Sequence, residues 1–311
     1  FIANIIALYW VGGFTHGRDM YLMTAGVAVL FAHPLFYFLP IAAFVFIKKN
    51  ARETIALGTL PFLWIAFEYF RAHTDFAFPW MLMGNTQTYN LSYIQLASIT
   101  GVYGISFLVV CVNVLCVILL QKLQRKEWKS FSVQSSLCGI YILLLVVTPK
   151  IIGKKMMEEN KPEREQNTLR IAIIQPNIDP WEKWQNTIDY QMNLLLQMTK
   201  EAAILQPDIV VYPETAIPVY ILQPQNQIYF ATLKSLVDSL QIHLLTGIPD
   251  VEFYEDSLLA PADAKIFSES RIRYKSFNSS MLLRPDSDTI QKYAKMFLVP
   301  FAERVPYAGN L

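Results

Sequence analysis

Long apolar runs fill the first half of the chain, and they restrict it to a small set of folds. Of the 311 residues, 53% are hydrophobic and only 16% are charged, but these averages conceal two different halves. Charges are scarce up to about residue 150, whereas the composition from about residue 154 is that of an ordinary α/β domain. We therefore predict a transmembrane helical domain over residues 1–153 and an α/β domain over residues 154–311.

Four apolar runs in the first domain are long enough to cross a bilayer. The predicted spans lie near residues 20–47, 54–70, 91–120 and 131–149. A buried core helix is the alternative for any one run, but four runs within half a chain favour a multi-span bundle. The chain opens with Phe1 inside a further apolar run, so we expect additional helices to precede it.

The distribution of Lys and Arg predicts how these spans are oriented. Three cations lie between the first and second spans and four between the third and fourth, whereas Arg71 alone lies between the second and third. Because cytoplasmic loops carry an excess of Lys and Arg, we place the two cation-rich loops in the cytoplasm and the rest outside. Lys150, Lys154 and Lys155 favour the opposite orientation, but they precede a long domain, where the rule is weaker. The seven cytoplasmic cations are Lys48, Lys49, Arg52, Lys122, Arg125, Lys126 and Lys129.

Several classes of function are not supported by the composition. The net charge of +1 and the lack of a basic stripe argue against nucleic acid as a partner. The three cysteines, Cys111, Cys116 and Cys138, lie in the apolar runs and have no metal-ligand spacing. The four histidines form no such spacing either, so we predict neither a metal nor a cofactor.

The second domain alternates strands and helices. Buried strands are predicted over residues 169–175, 208–212 and 243–247, helices over 187–205 and 228–240, and a hairpin over 278–283 and 289–293. The order βαβαβ followed by a hairpin predicts a mainly parallel sheet with helical cover. The polar residues 252–276 are predicted to form a long excursion from this sheet.

Three charged residues of this domain have the placement of catalytic groups. Glu214 follows the second strand at the carboxyl edge of the sheet, where α/β folds bind ligands. Lys295 lies in an apolar segment, and Glu303 follows it. Each residue also has an ordinary explanation: a solvated carboxylate for Glu214, a lysine that reaches the surface for Lys295, and an ion pair with Arg304 or Lys295 for Glu303. Together they suggest acyl transfer, with a carboxylate base and a cation for the oxyanion.

Five segments of the second domain resemble the successive motifs of the carbon–nitrogen hydrolase, or nitrilase, superfamily. They read LRIAIIQPNI, VVYPETAIP, LLTGIPD, FNSSMLL and YAKMFLVPFAERVPY. The first domain narrows the resemblance, because FEYFRAHTDFAFPWMLMGNTQ and LASITGVYGISFLV are similar to the apolipoprotein N-acyltransferase family of bacterial inner membranes. The resemblance implies a multi-span helical bundle followed by a nitrilase-like α-β-β-α sandwich, which would be truncated in this chain.

The resemblance also implies roles for individual residues. Glu214 would be the general base, Lys295 the oxyanion cation and Glu303 an additional active-site carboxylate, although Ala302 stands where many members have glycine. The family nucleophile is a cysteine downstream of the lysine segment, so we expect it beyond Leu311 and expect this chain alone to be inactive. Trp80, Trp184 and Asn278 are candidate substrate contacts. A membrane anchor, ordinary packing and a strand-start asparagine are their respective alternatives.

The implied function is the maturation of lipoproteins at the bacterial inner membrane, with the catalytic domain in the periplasm. An acyl chain would pass from a phospholipid to the cysteine as a thioester, and then to the α-amine of a diacylglyceryl apolipoprotein. Phospholipid, apolipoprotein and the bilayer are therefore the expected partners. A membrane-tethered nitrilase or amidase acting on a small carbon–nitrogen substrate is the alternative enzyme, and a periplasmic scaffold domain is the alternative without catalysis.

Overall fold

The computed structural model describes residues 1–12, 20–74, 77–124, 128–160, 168–178, 187–256, 258–261, 263–267, 272–299 and 303. The chain divides into two compact units. The first comprises Phe1–Glu163 together with Pro300–Tyr307, and the second comprises Arg164–Val299 together with Ala308–Leu311. The helices of the first unit are α1 (Ile2–Leu8), α2 (Met20–Phe36), α3 (Phe38–Asn50), α4 (Glu53–Ala72), α5 (Leu91–Ile94), α6 (Ala97–Gln124) and α7 (Trp128–Glu159).

Three helical stretches among the described residues are long and apolar enough to cross a membrane. They are Gly26–Asn50, Ala97–Lys122 and Ser135–Glu159, with mean hydropathies of 2.0, 2.6 and 1.9. Each overlaps a predicted span. The predicted span at residues 54–70 is helix α4, which is not one of the three, because Glu68, Arg71 and several weakly apolar residues lower its hydropathy. A membrane crossing by α4 therefore stays a prediction.

The second unit is built on one mixed sheet. Its elements are β1 (Ile171–Ile173), α8 (Ile188–Ala203), β2 (Ile209–Val211), α9 (Gln227–Leu240), β3 (His243–Tyr254), β4 (Lys265–Ile266), β5 (Arg273–Leu283) and β6 (Gln291–Ala294). Strands β1, β2 and β3 are parallel, β3 pairs antiparallel with β5, and the other edge of β5 carries both β4 and β6. The predicted order, a helical membrane part followed by an α/β part with a terminal hairpin, is confirmed. The prediction of a mainly parallel sheet is wrong, because two of the strand pairings among the described residues are parallel and three are antiparallel.

Strands β3 and β5 are longer than the sequence predicts. The two strands pair without interruption from Leu244 with Leu283 to Tyr254 with Arg273. Part of the predicted excursion at residues 252–276 is therefore strand. Oppositely charged Glu252 and Lys275 face each other in this register, a cross-strand arrangement that stabilises a ribbon exposed to solvent and hides its strand character in the sequence.

Helices α8 and α9 pack on one face of the sheet. The even-numbered side chains of β3, from Leu244 to Ile248, are buried against α9 residues such as Leu233 and Val237. Because neighbouring side chains in a strand point to opposite faces, the odd-numbered positions of β3, Gly247 among them, belong to the other face. The described residues thus form one sheet with helical cover on one side, which corresponds to half of the predicted sandwich.

Candidate active site

Glu214 lies in a tight turn at the carboxyl end of β2. The strand continues its pairing through the N–H of Tyr212, which donates to Leu245 O at 2.8 Å. Pro213 then ends the ladder because it has no N–H to donate. A hydrogen bond from Ala216 N to Pro213 O at 3.2 Å closes a β-turn with Glu214 and Thr215 at its centre. Thr215 has a φ of 51°, a left-handed conformation that is rare for a β-branched residue.

Lys295 reaches Glu214 from β6, which pairs with the edge of β5 that faces away from β3. It follows β6 directly, and its backbone N–H donates to Asn278 O on β5 at 2.8 Å. Its ammonium nitrogen Nζ lies 3.0 Å from Oε1 of Glu214. The sheet therefore joins two of the predicted catalytic residues, the carboxylate after β2 and the lysine after β6, in one ion pair.

Asn278 completes this cluster. Its side-chain amide Nδ2 donates a hydrogen bond to Oε1 of Glu214, the oxygen that also faces Lys295. Two donors on one carboxylate oxygen fix the direction in which the carboxylate points. The sequence predicts Asn278 as a substrate contact, whereas this hydrogen bond favours a role in orienting Glu214.

The ion pair is open to solvent. The Glu214 side chain is 61% exposed and that of Lys295 is 30% exposed. Lys295 lies in an apolar segment of the sequence, but its neighbours Tyr293, Met296 and Phe297 are all largely exposed and do not bury it. Exposed ion pairs contribute only about 0–1 kcal/mol to stability. The pair therefore contributes little to stability, and its relevance is chemical, because it places a base-capable carboxylate beside a cation.

The other predicted site residues, Glu303, Trp184 and Trp80, lie outside the described part of the second unit. Glu303 is exposed and belongs to the first unit, so its role beside Glu214 and Lys295 stays a prediction. Trp184 lies outside the described residues. Trp80 lies in a 3-10 turn of the first unit, Pro79–Met81, where it is 61% exposed. Its ring packs edge-on against Trp10 with centroids 5.6 Å apart.

The three cysteines all lie in the first unit, whereas Glu214 and Lys295 belong to the second. Cys111 lies in α6, and so does Cys116, while Cys138 lies in α7. Both helices belong to the first unit, and the second unit has no cysteine in its sequence. Among the described residues, no group of His, Cys, Asp or Glu side chains is arranged to hold a metal ion.

Glu68 and Arg71 of α4 form a buried polar cluster that the sequence does not predict. Their spacing, one turn apart at the end of a predicted span, suggests a pair at the membrane interface, but both side chains are buried, at 1% and 3% exposed. Glu68 Oε1 accepts hydrogen bonds from Trp64 Nε1 at 2.9 Å and from the backbone N–H of Met83 at 2.7 Å. The Arg71 guanidinium instead hydrogen-bonds His33 of α2. The cluster thus joins α4 to α2 and to the loop that carries Trp80.

Comparisons with known proteins match both parts of the chain. Residues 1–115 match the family model "Apolipoprotein N-acyltransferase N-terminal domain", and residues 170–309 match "Carbon-nitrogen hydrolase". Proteins named apolipoprotein N-acyltransferase are 33% identical in Chlorobaculum tepidum and 29% identical in Geobacter metallireducens, with 98% of this chain and 54% of each relative covered. The relative in Pseudomonas aeruginosa is 30% identical over 91% of this chain and 48% of its own length. The chain spans about half the length of these relatives.

Proposed function

This chain belongs to the apolipoprotein N-acyltransferase family, and from that premise we propose that the full-length protein transfers an acyl chain from a phospholipid to the N-terminal amine of a diacylglyceryl apolipoprotein. The observation that supports this proposal is the contact of Glu214 with Lys295 at 3.0 Å. A carboxylate can accept a proton, and a neighbouring ammonium can stabilise negative charge on a carbonyl oxygen. Acyl transfer to a nucleophile requires both.

In the first step, Glu214 takes the proton of a cysteine thiol, which the family resemblance predicts downstream of Leu311. The thiolate is the reactive form of cysteine, and it attacks the ester carbonyl of the phospholipid. Lys295 stabilises the oxyanion of the tetrahedral intermediate. When the carbon–oxygen ester bond breaks, Glu214 returns its proton to the departing alkoxide. The products of this step are a thioester on the enzyme and a lysophospholipid.

In the second step, the α-amine of the apolipoprotein attacks the thioester. Glu214 takes a proton from the attacking nitrogen while Lys295 again stabilises the oxyanion, and the thiolate leaves as the carbon–sulfur bond breaks. The proton held by Glu214 returns to the thiolate, and an amide is formed. A thioester is activated enough for attack by an amine, so the covalent intermediate divides a difficult transfer into two feasible ones.

The other predicted residues have supporting roles in this scheme. Asn278 orients the Glu214 carboxylate through its amide. Glu303 supplies an additional carboxylate, and the exposed ring of Trp80 contacts the lipid together with Trp184, as amphipathic aromatics do at membrane surfaces. The second unit faces the periplasm of a bacterial inner membrane, the orientation that the Lys and Arg distribution favours.

The test uses the full-length protein and a phospholipid with a labelled acyl chain. We expect the enzyme to become labelled, and we expect hydroxylamine to release the label because hydroxylamine cleaves thioesters. The label should then be transferred to a diacylglyceryl peptide. A protein that carries label but passes it only to water would contradict the transferase. Absence of labelled enzyme together with hydrolysis of small amides or nitriles would instead support the tethered nitrilase or amidase. If neither activity is found, the scaffold is favoured.

A further inference from the structure

Gly247 of β3 lies where the backbone of the turn that carries Glu214 comes close to this strand. This strand is central in the sheet, with β2 paired on one side and β5 on the other. Gly247 pairs with Ser280 of β5 and belongs to the face of the sheet opposite to helices α8 and α9. A glycine inside a strand costs stability because its backbone is more flexible when unfolded. Its presence here needs a local reason.

The reason is a close approach between two backbones. A Cβ atom added at Gly247 would lie 2.5 Å from Thr215 N, 2.8 Å from Glu214 Cα and 2.8 Å from Pro213 O. Carbon atoms in van der Waals contact are about 3.5–4.0 Å apart, so each of these separations is too short. All three atoms are backbone atoms of the turn, and none of them belongs to a side chain that could rotate away.

The strand is held more firmly than the turn. Two neighbouring strands hold β3 in register, and the buried Thr246 and Ile248 flank Gly247 in the core. The turn is closed by the hydrogen bond from Ala216 N to Pro213 O and includes the left-handed Thr215. A methyl group at position 247 would therefore displace the turn, by about 1 Å if ordinary contact is to be restored.

We infer that Gly247 is a positioning residue for Glu214: its bare backbone lets the turn lie against β3 and thereby holds the carboxylate at Lys295. This inference rests on the proposed function, because it assigns Gly247 a part in acyl transfer. The Glu214–Lys295 contact of 3.0 Å would lengthen by a similar distance if the turn moved. A misplacement of this size can lower a catalytic rate constant about 100-fold.

The test compares Gly247→Ala with the parent in the full-length protein, by single-turnover formation of the acyl-enzyme from a labelled phospholipid. The first-order rate constant reports on the folded molecules, and the amplitude reports on how many molecules are folded and competent. We expect the rate constant to fall about 100-fold, with an amplitude close to that of the parent and an unchanged dependence on phospholipid concentration. A change that only destabilised the fold would lower the amplitude and leave the rate constant as it is.

Gly139→Ala is the matched control, because a Cβ at Gly139 of α7 meets no atom within 4 Å. We expect its rate constant and amplitude to equal those of the parent. Equal rate constants for Gly247→Ala and the parent would overturn the inference, as would loss of the variant from the membrane fraction, which would assign Gly247 to folding alone. If the parent forms no acyl-enzyme, the proposed function itself is contradicted.

Discussion

The ammonium of Lys295 lies 3.0 Å from the carboxylate of Glu214, although 81 residues separate them in sequence. Each residue lies immediately beyond a strand end, and the antiparallel pairing of β6 with β5 returns Lys295 to the edge where β2 ends. The sheet topology therefore accounts for their meeting.

We expect Glu214→Gln and Lys295→Met to prevent thioester formation in the full-length protein. Loss of a general base lowers the rate by about 10²- to 10⁴-fold, and loss of an oxyanion donor by about 10²- to 10³-fold. Because the residues act in one step, the double variant should lose less than the product of the two effects. Single-turnover acylation measures all three variants.

The control variants for this prediction are Glu201→Gln and Lys200→Met. Both residues are exposed on α8, and both changes alter charge in the same way as the site variants. Acylation rates equal to the parent are expected for the controls. Either site variant with a parental acylation rate would refute the role assigned to that residue.

Asn278→Ala should weaken catalysis less than loss of Glu214 itself. A hydrogen bond to a charged group contributes about 1.5–3 kcal/mol, which corresponds to a loss of roughly 10- to 100-fold in kcat if the bond orients the base in the transition state. KM for phospholipid should stay constant, which separates an orienting role from substrate binding. Ser276→Ala, an exposed position on the same strand, serves as the control. A raised KM with a parental kcat would contradict the orienting role and would instead support Asn278 as a substrate contact.

Two residues of this site, Glu214 and Lys295, are predictable from the sequence because of their positions relative to strands and their charges. Glu214 follows Pro213 at a strand end, and Lys295 is a cation in an apolar segment, so each has a local pattern that is visible in the sequence. Their separation and the Asn278 hydrogen bond depend on the register of β5 with β3 and β6, which no local pattern specifies. The long β3–β5 ribbon was missed because both its strands continue into charged, solvent-exposed residues.

In the membrane part, too, the sequence predicts some features, whereas others depend on residues that are distant in sequence. Length and hydropathy predict α6 and α7 as spans, because burial in a bilayer requires only a run of apolar residues. The burial of Glu68 and Arg71 depends on neighbours from α2 and from the Met83 loop, which are distant in sequence. An isolated Glu and Arg three residues apart are more typical of a surface pair, so their spacing alone does not predict this burial.

Tyr212 should make the stability of the second unit depend on pH in the alkaline range. Burial raises the pKa of its phenol to about 12, while the hydrogen bond between Tyr212 and Thr199 acts in the opposite direction. The folded state therefore favours the protonated phenol, and this stabilisation is complete below pH 10 and is lost as the pH rises from 10 to 12. A shift of two units corresponds to roughly 2–3 kcal/mol.

The measurement is the phenolate absorbance of the parent minus that of Tyr212→Phe, together with unfolding midpoints at pH 8 and pH 11. We expect the difference titration to have its midpoint near pH 12. The parent should lose more stability than Tyr212→Phe between the two pH values. A difference titration centred at pH 10 would show that Tyr212 is hydrated in solution.

The predicted orientation can be tested by labelling with a membrane-impermeant maleimide. Single cysteines at Tyr89 and Asn50, both exposed, would be placed in a full-length protein whose native cysteines, the proposed nucleophile among them, are all replaced by serine. We expect Tyr89→Cys to react from the periplasmic side of spheroplasts, and Asn50→Cys to react only after lysis. The reverse pattern would invert the proposed topology and move the second unit to the cytoplasm.

Glu68 should stabilise the loop that carries Trp80 as an acceptor of hydrogen bonds rather than as a charge. It is 1% exposed, and its Oε1 binds both Met83 N and Trp64 Nε1. Glu68→Ala leaves both part-buried donors without their acceptor, at a cost of up to about 1–3 kcal/mol each, so a lower Tm in detergent is expected. Glu68→Gln keeps a carbonyl oxygen in place and should retain most of the stability. Equal losses for the two variants would show that the carboxylate charge, and not the acceptor geometry, holds the Met83 loop against α4.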